Sequence, residues 1–384
     1  MDRFKGFTLN GKVLSKDWIL KRFGDREALG STEFERQTLE FCKRWLQGDE
    51  EFRVKTSGST GAPKEMSVRR DRLTLSARMT GSALQLKTGQ RALVCLSTGH
   101  IAGLMMLVRG LVLGLDLTVI EPGPDPLHSF FLKNSQNTEP FDFSAFVPLQ
   151  LQVILSKGER YRAFLNQMKA VLVGGAPVSY ALQKSIQQVK APVYQTFGMT
   201  ETLSHFALRK LNGPDVSGSY QALPGVELGQ DTRGCLTIKS QLTDDELLVT
   251  NDLVELKPEN HFIWLGRFDN VINTGGVKVQ PEKVEQAIAE SLFGIENPTV
   301  SSRAFFVGSV PDEKFGEKVV GVFEGEAFSR DVQETMLKSL SELLHKYELP
   351  KSFCFVNSFV RTATGKIDRK ANMENIQTPK SQSL

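Results

Sequence analysis

The sequence predicts an α/β protein, with a large N-terminal domain of parallel-rich sheets covered by helices and a small α/β unit at its C-terminal end. Short apolar runs of β type, Arg91–Leu96, Asp116–Ile120, Phe143–Pro148 and Ala170–Val173, alternate with helical patterns, the signature of parallel sheets. The 384 residues exceed one ordinary domain and favour two. A hydrophobic content of 40% beside 24% charged residues provides for a sizeable core.

The same numbers exclude several functions. Forty-seven basic against 44 acidic residues leave a formal charge of +3, and no long basic run or aromatic RNA-binding motif goes with it, so no nucleic-acid partner is expected. Cys42, Cys95, Cys235 and Cys354 lie 53, 140 and 119 residues apart. None of these spacings suits a metal or redox pair, so isolated buried thiols in a reducing compartment are expected, and the scattered histidines suggest no zinc site. MDRFKGF at the N-terminus has no apolar signal core. The window Ile101–Ile120 resembles a membrane span, but Arg109 and Asp116 interrupt it, each costing about 2.5–3.5 kcal/mol near a bilayer centre. A cytoplasmic protein without a membrane partner follows as the expectation.

In chain order, Ser15–Phe23 and Ser31–Leu46 are helical patterns; the second places Phe34, Leu39, Phe41, Cys42, Trp45 and Leu46 largely on one face. Phe52–Lys55 reads as a strand, and the segment after residue 64 as a helix, best defined over Arg70–Leu86. Ser97–Gly110 is an apolar helix. Leu247–Leu256 reads as strand, turn, strand, with Asp252 at the turn. Pro281–Leu292 is a Pro-initiated helix, Arg303–Val310 and Lys318–Glu324 are strands, and Asp331–Lys346 is an amphipathic helix. The polar tail Asn375–Leu384 reads as disordered.

The chemistry concentrates in Thr56–Lys64, TSGSTGAPK. Gly58 and Gly61 let backbone N–H groups approach an anion. Thr56, Ser57, Ser59 and Thr60 add hydroxyl donors, and Lys64 a mobile point charge. This is phosphate-binding chemistry, yet not a Walker A loop: Pro63 stands where that motif needs Gly, and Glu65 where it needs Ser or Thr. In Gln195–Thr202, QTFGMTET, Thr200 and Glu201 follow a Gly turn and offer a hydroxyl for a phosphate oxygen and a carboxylate for Mg²⁺. Helix capping by Thr200 is the plainer alternative. In VLVGGAP, Gly174 and Gly175 end a strand and permit close backbone approach. Asp252 suits a pair of ribose hydroxyls or a simple Asx turn.

These motifs, with Gly266-Arg267-x-Asp269, Gly275-Gly276, Pro281-x-x-Val284-Glu285 and Thr362-x-x-Gly365-Lys366-x-x-Arg369, resemble in kind and order those of the adenylate-forming superfamily of acyl-CoA synthetases, adenylation domains and luciferases. The resemblance runs from Thr56 to Arg369. Phe197 stands where Tyr is frequent, Asn251 where Gly is usual, and Lys278 where Arg or Asn is commoner. It implies an ATP-dependent acid–thiol ligase using Mg²⁺ and coenzyme A, with residues 1–268 as the adenylate-forming domain and 269–384 as a mobile lid. Gly174, Gly175, Ala176, Pro177 and Phe197 would line adenine, Asp252 would hold ribose, and Arg267 ribose or phosphate. Glu201 would bind the metal, Asp269 would be the hinge, and Lys366 would bridge carboxylate and α-phosphate. A short N-terminal region and the segment His100-Ile-Ala-Gly103-Leu104…Arg109 are similar to o-succinylbenzoate–CoA ligases of menaquinone biosynthesis, with His100 and Arg109 toward the acid. A buried Arg109 needs either an acidic partner or a ligand. Other acyl-CoA ligases and carrier-loading adenylation enzymes would share this pattern, and a non-catalytic nucleotide-binding relative would keep the Thr56–Lys64 loop but could lack Glu201 or Lys366.

Overall fold

The computed structural model describes residues 4–22, 32–55, 65–133, 139–362 and 366–377. Its centre is a 13-stranded sheet. In spatial order the strands are Glu227–Gln230, Cys235–Lys239, Leu248–Lys257, His261–Arg267, Tyr220–Ala222, His205–Lys210, Val193–Gly198, Ala170–Val173, Phe143–Phe146, Arg91–Val94, Asp116–Val119, Gly6–Leu9 and Lys12–Ser15. From Gly6–Leu9 to Val193–Gly198 all neighbours run parallel. Beyond Val193–Gly198 the sheet continues as an antiparallel meander.

The parallel half forms because its strands are apolar on both faces. Leu93, Leu117, Phe143, Val171 and Val193 have no exposed surface, as expected of a sheet with helices on either side. Each such side chain contributes about 1.5–3 kcal/mol by leaving water. The apolar helix Ile101–Leu113 lies on one face against Arg70–Ala83, and Pro148–Ser156 and Tyr180–Ile186 pack together in the layer with the second apolar cluster. Among the described residues no helix is long and apolar enough to cross a membrane.

A second sheet of five strands, Ile272–Thr274, Val277–Val279, Phe305–Asp312, Gly316–Glu324 and Ser352–Val356, follows the last strand of the first. Helices Pro281–Phe293 and Arg330–Leu343 close its own core around Val284, Ile288, Phe323, Met336 and Leu340. Gly275 and Gly276, both at positive φ, make the two-residue turn between its first two strands. Tyr180 Oη donates to Glu290 Oε1 at 3.1 Å, and the Tyr180 and Phe293 rings meet edge-on at 5.6 Å, joining the two sheets' helical layers.

Three expectations change, and one unforeseen element is added. The segment after residue 64 begins as the strand Glu65–Arg69, paired antiparallel with Glu51–Lys55, and the helix starts only at Arg70. Val68 is buried in this pairing opposite Phe52, a cross-strand contact that outweighs helical spacing. Leu248–Lys257 is one continuous strand, so Asp252 is not at a turn; a register shift at Leu253/Val254 absorbs the irregularity. Residues 375–377 belong to the helix Arg369–Gln377 rather than a disordered tail, because Met373 and Ile376 pack on the Phe306–Val320 cluster. An N-terminal hairpin, Gly6–Leu9 with Lys12–Ser15, adds two strands to the sheet edge through Asn10 and Gly11, both at positive φ. The thiols of Cys42, Cys95 and Cys235 are buried and unpaired, and Cys354 is half-buried.

Candidate active site

Parallel strands deliver their following turns to one edge of a sheet, where ligands bind in open α/β folds. Here Val173 pairs with Gln195, so the next residues, Gly174 and Thr196, lie side by side. A Cβ on Gly174 would stand 1.9 Å from Thr196 Oγ1, and a β-branched side chain cannot easily swing away. Gly175 adopts φ +82°, and Ala176 and Pro177 continue the turn exposed. The double glycine is thus required by close approach at one residue and by a left-handed backbone at the other.

The neighbouring turn carries Thr200 and Glu201. No helix starts there; the chain reverses into the strand His205–Lys210, which sets aside the capping alternative. Thr202, fully buried, holds the reversal: its Oγ1 accepts from Met199 N at 3.1 Å and lies 2.8 Å from Ser204 O. Leu203 takes a left-handed φ of +63°, a conformation costing about 1–2 kcal/mol outside glycine. Thr200 is left half-buried and Glu201 exposed, its carboxylate without a hydrogen bond among the described residues. Its carbonyl, by contrast, accepts from Arg72 Nη2 at 3.1 Å. One free hard carboxylate beside a hydroxyl fits Mg²⁺, which takes few protein oxygens and completes its shell with water and phosphate. Phe197, half-buried, packs its ring against Phe206, Tyr220 and Phe262 at 5.1–5.7 Å.

A second group forms where Asp252 pairs in register with Arg267. Trp264 Nε1 donates to Asp252 Oδ1 at 2.9 Å, and Arg267 Nη1 stands 3.8 Å from Oδ2. Burial nevertheless raises the Asp252 pKa, and Asp269 adds to the rise. Asp269 accepts from Arg267 Nη2 at 2.9 Å and from Asn251 Nδ2 at 3.1 and 3.2 Å. Asp252, Arg267 and Asp269 are therefore one charged cluster, hydrogen-bonded between Arg267 and Asp269 and ion-paired between Arg267 and Asp252.

His100 and Arg109 are separated. His100 caps the helix Ile101–Leu113, exposed, with Nδ1 3.3 Å from Ser97 Oγ. His100 precedes the helix and Arg109 is its ninth residue, so about 12 Å of helical rise separates the two positions. Arg109 is 2% exposed. Among the described residues no carboxylate stands within ion-pair distance. Its Nη2 donates to Ser204 Oγ at 3.2 Å and Nη1 to Met106 Sδ at 3.7 Å, while Nε has no acceptor. Burial lowers its pKa to about 10, so it stays a cation at neutral pH.

The adjoining histidine has a defined tautomer. Thr80 Oγ1 donates to Ser76 O at 3.0 Å, so it accepts from His205 Nε2 at 3.1 Å, leaving His205 Nδ1 as acceptor for Ser204 Oγ at 3.4 Å. Burial, then Arg109, push the His205 pKa well below its usual value. The unfolded chain therefore binds this proton first as pH falls: the stabilisation is complete above about pH 6.5 and declines below it, by up to about 1.4 kcal/mol per unit. Thermal unfolding between pH 7.5 and 5.0 should show this slope, and His205→Asn should flatten it; an unchanged slope would refute the assignment.

Residues 56–64, and with them Thr56, Ser57, Gly58, Ser59, Thr60, Gly61 and Lys64, lie outside the described residues. Their flanks, Lys55 and Glu65, are a register pair. Lys366 is exposed beside the bridge Arg361–Ile367, its carbonyl accepting from Thr362 N at 2.8 Å, and its ammonium forms no ion pair among the described residues. Sequence reading passed over Arg72, Trp264, Thr202 and the Ser204–His205 pair. Trp264 stands two residues before the Gly266-Arg267-x-Asp269 motif, whereas nothing in spacing signals Arg72.

Residues 54–229 match the family described as AMP-binding enzyme. The solved acyl-CoA synthetase (AMP-forming)/AMP-acid ligase II-like protein from Dyadobacter fermentans is 43% identical, over 91% of this chain and 96% of that one, with a TM-score of 0.60. The 2-succinylbenzoate–CoA ligase of Lactococcus lactis subsp. lactis is 26% identical over 333 residues, 83% of this chain and 69% of its own. The Bacillus subtilis o-succinylbenzoate CoA synthetase, solved with its acyl-adenylate intermediate, is 21% identical over 83% of this chain and 68% of its own, with a TM-score of 0.67, a likeness of fold.

Proposed function

We propose, since this chain belongs to the AMP-binding enzyme family, that it joins a carboxylic acid, o-succinylbenzoate, to coenzyme A with ATP, through an acyl-adenylate, as a step of menaquinone biosynthesis. The observation that carries the ligase reading is that the Gly174–Gly175 turn and the Thr200–Glu201 turn both follow the carboxyl ends of adjacent parallel strands. The acid is supported by Arg109, a buried cation with no carboxylate partner among the described residues, and by relatives named for that substrate.

In the first half-reaction the acid's carboxylate attacks the α-phosphate of ATP and pyrophosphate leaves. Catalysis is then positioning and charge neutralisation. Residues 56–64 cradle the leaving phosphates, Thr200 donates to a phosphate oxygen, and Glu201 with its free carboxylate is the metal ligand. Bound Mg²⁺ supplies neutralising charge. Residues 174–177 and Phe197 border the adenine, Asp252 accepts from ribose hydroxyls, and Arg267 steadies that end. Lys366 bridges the carboxylate and α-phosphate. The unit from 269 to 384 then turns as a lid on residues 1–268 about Asp269, withdrawing Lys366 while Gly275 and Gly276 border the thiol's path. The thiol attacks the acyl carbonyl and AMP leaves.

Acid-dependent pyrophosphate exchange across a carboxylate panel, followed by thioester detection with coenzyme A, tests this. o-Succinylbenzoate should exceed benzoate and medium-chain fatty acids in kcat/KM by at least about 10²-fold, the discrimination a built polar site provides. Preference for a monocarboxylate would overturn the acid but not the ligase. Thioester formation on a carrier protein but not on coenzyme A would change the acceptor. No exchange with any acid would overturn the whole reading.

A further inference from the structure

Arg72 makes three contacts across the fold. It is the third residue of the helix Arg70–Ala83, separated from residue 64 only by the strand Glu65–Arg69. Its Nη2 donates to the carbonyls of Glu201, at 3.1 Å, and Leu242, and its Nη1 pairs with Asp244 Oδ2 at 3.3 Å. Arg69 Nη2 reaches the other Asp244 oxygen at 3.3 Å, and Asp244 holds a left-handed φ of +54°. One guanidinium thus ties the strand and helix that follow residues 56–64 to the backbone of the metal-ligand candidate and to a third, separate turn.

We infer that Arg72 is a positioning residue that fixes the Glu201 peptide, and so aims its carboxylate at the metal ion that accompanies ATP. The inference rests on the proposed nucleotide site. A carbonyl anchored at 3.1 Å restricts rotation at Glu201, whose carboxylate has no hydrogen bond among the described residues. The ion pair itself adds little, because Asp244 is half-exposed and screened. Loss of Arg72 should therefore disturb metal binding far more than folding. Partners that orient a metal ligand typically govern 10–100-fold in affinity.

Mn²⁺, titrated into the full chain with ATP and followed by its electron paramagnetic resonance signal, tests this. Arg72→Ala should raise the Mn²⁺ half-saturation about tenfold. Metal-free ATP affinity should stay within about twofold, since the variant leaves metal-independent contacts in place. Asp244→Asn and Arg72→Lys should fall in between, and carry the comparison if Arg72→Ala does not fold. On a Glu201→Gln background, Arg72→Ala should add less than about twofold, because both changes act through one carboxylate. Wild-type Mn²⁺ affinity in Arg72→Ala, or a full multiplicative effect on Glu201→Gln, would overturn the inference alone. A wild-type protein that takes up no Mn²⁺ with ATP would overturn the nucleotide site, and the inference with it.

Discussion

Lys366→Ala is expected to lower acyl-adenylate formation by about 10²–10³-fold, the loss that follows removal of one preorganised charge from a transition state. Conversion of supplied acyl-adenylate to thioester should stay near the wild-type rate. The asymmetry follows from the residue's setting: an exposed ammonium with no ion pair among the described residues, on a unit with its own sheet and core. In the proposed mechanism such a cation acts when that unit brings it to the carboxylate–phosphate junction, and has no role once the bond is made. Asp269→Pro should show the reverse, because proline restricts φ at the proposed pivot. Since Asp269 also anchors Asn251 and Arg267, Asp269→Ala separates anchoring from pivoting. Single-turnover measurement of each half-reaction decides the matter; equal loss of both steps in Lys366→Ala, or wild-type rates for both in Asp269→Pro, would reject the two-position lid.

The parallel half of the sheet was legible because burial on both faces leaves continuous apolar runs such as Ala170–Val173. The meander was not. Thr250, Asn251 and Asp252 read as a turn because polar residues interrupt an apolar run, but their partners are Arg233, Asp269 and Trp264, brought close only by the fold. The C-terminal helix was missed for the same reason: Met373 and Ile376 are two apolar residues in a polar tail until Phe306 and Val320 lie beneath them. The Asn10–Gly11 hairpin is different, since Asn-Gly is a strong local hairpin signal and could have been read. In the site, the spacing located the turns that present Gly174, Thr200 and Glu201. It joined His100 to Arg109, which the length of the intervening helix then holds apart. Tethers such as Arg72 to Glu201 span 129 residues and leave no local trace.

The acid preference is where Arg109 matters most. An arginine carries five N–H donors, and here Nη1 and Nη2 have weak or neutral acceptors while Nε has none. A buried cation in that state costs folding free energy, and apolar side chains of similar volume at such positions are often neutral or stabilising, by about 1–4 kcal/mol. Arg109→Met should therefore keep or raise the melting temperature. If the guanidinium receives the aromatic carboxylate of o-succinylbenzoate, the same substitution leaves that carboxylate buried and unpaired, costing about 3–5 kcal/mol. The preference for o-succinylbenzoate over benzoate in kcat/KM should then fall by about 10²- to 4 × 10³-fold, at 1.4 kcal/mol per decade. ATP affinity should change little, and acids without a second carboxylate should be used as before. The combination is diagnostic, because a structural arginine would lower the melting temperature and all acids together. An unchanged preference in a well-folded Arg109→Met protein would remove Arg109 from the acid site and leave its charge to the Ser204–His205–Thr80 hydrogen-bond chain.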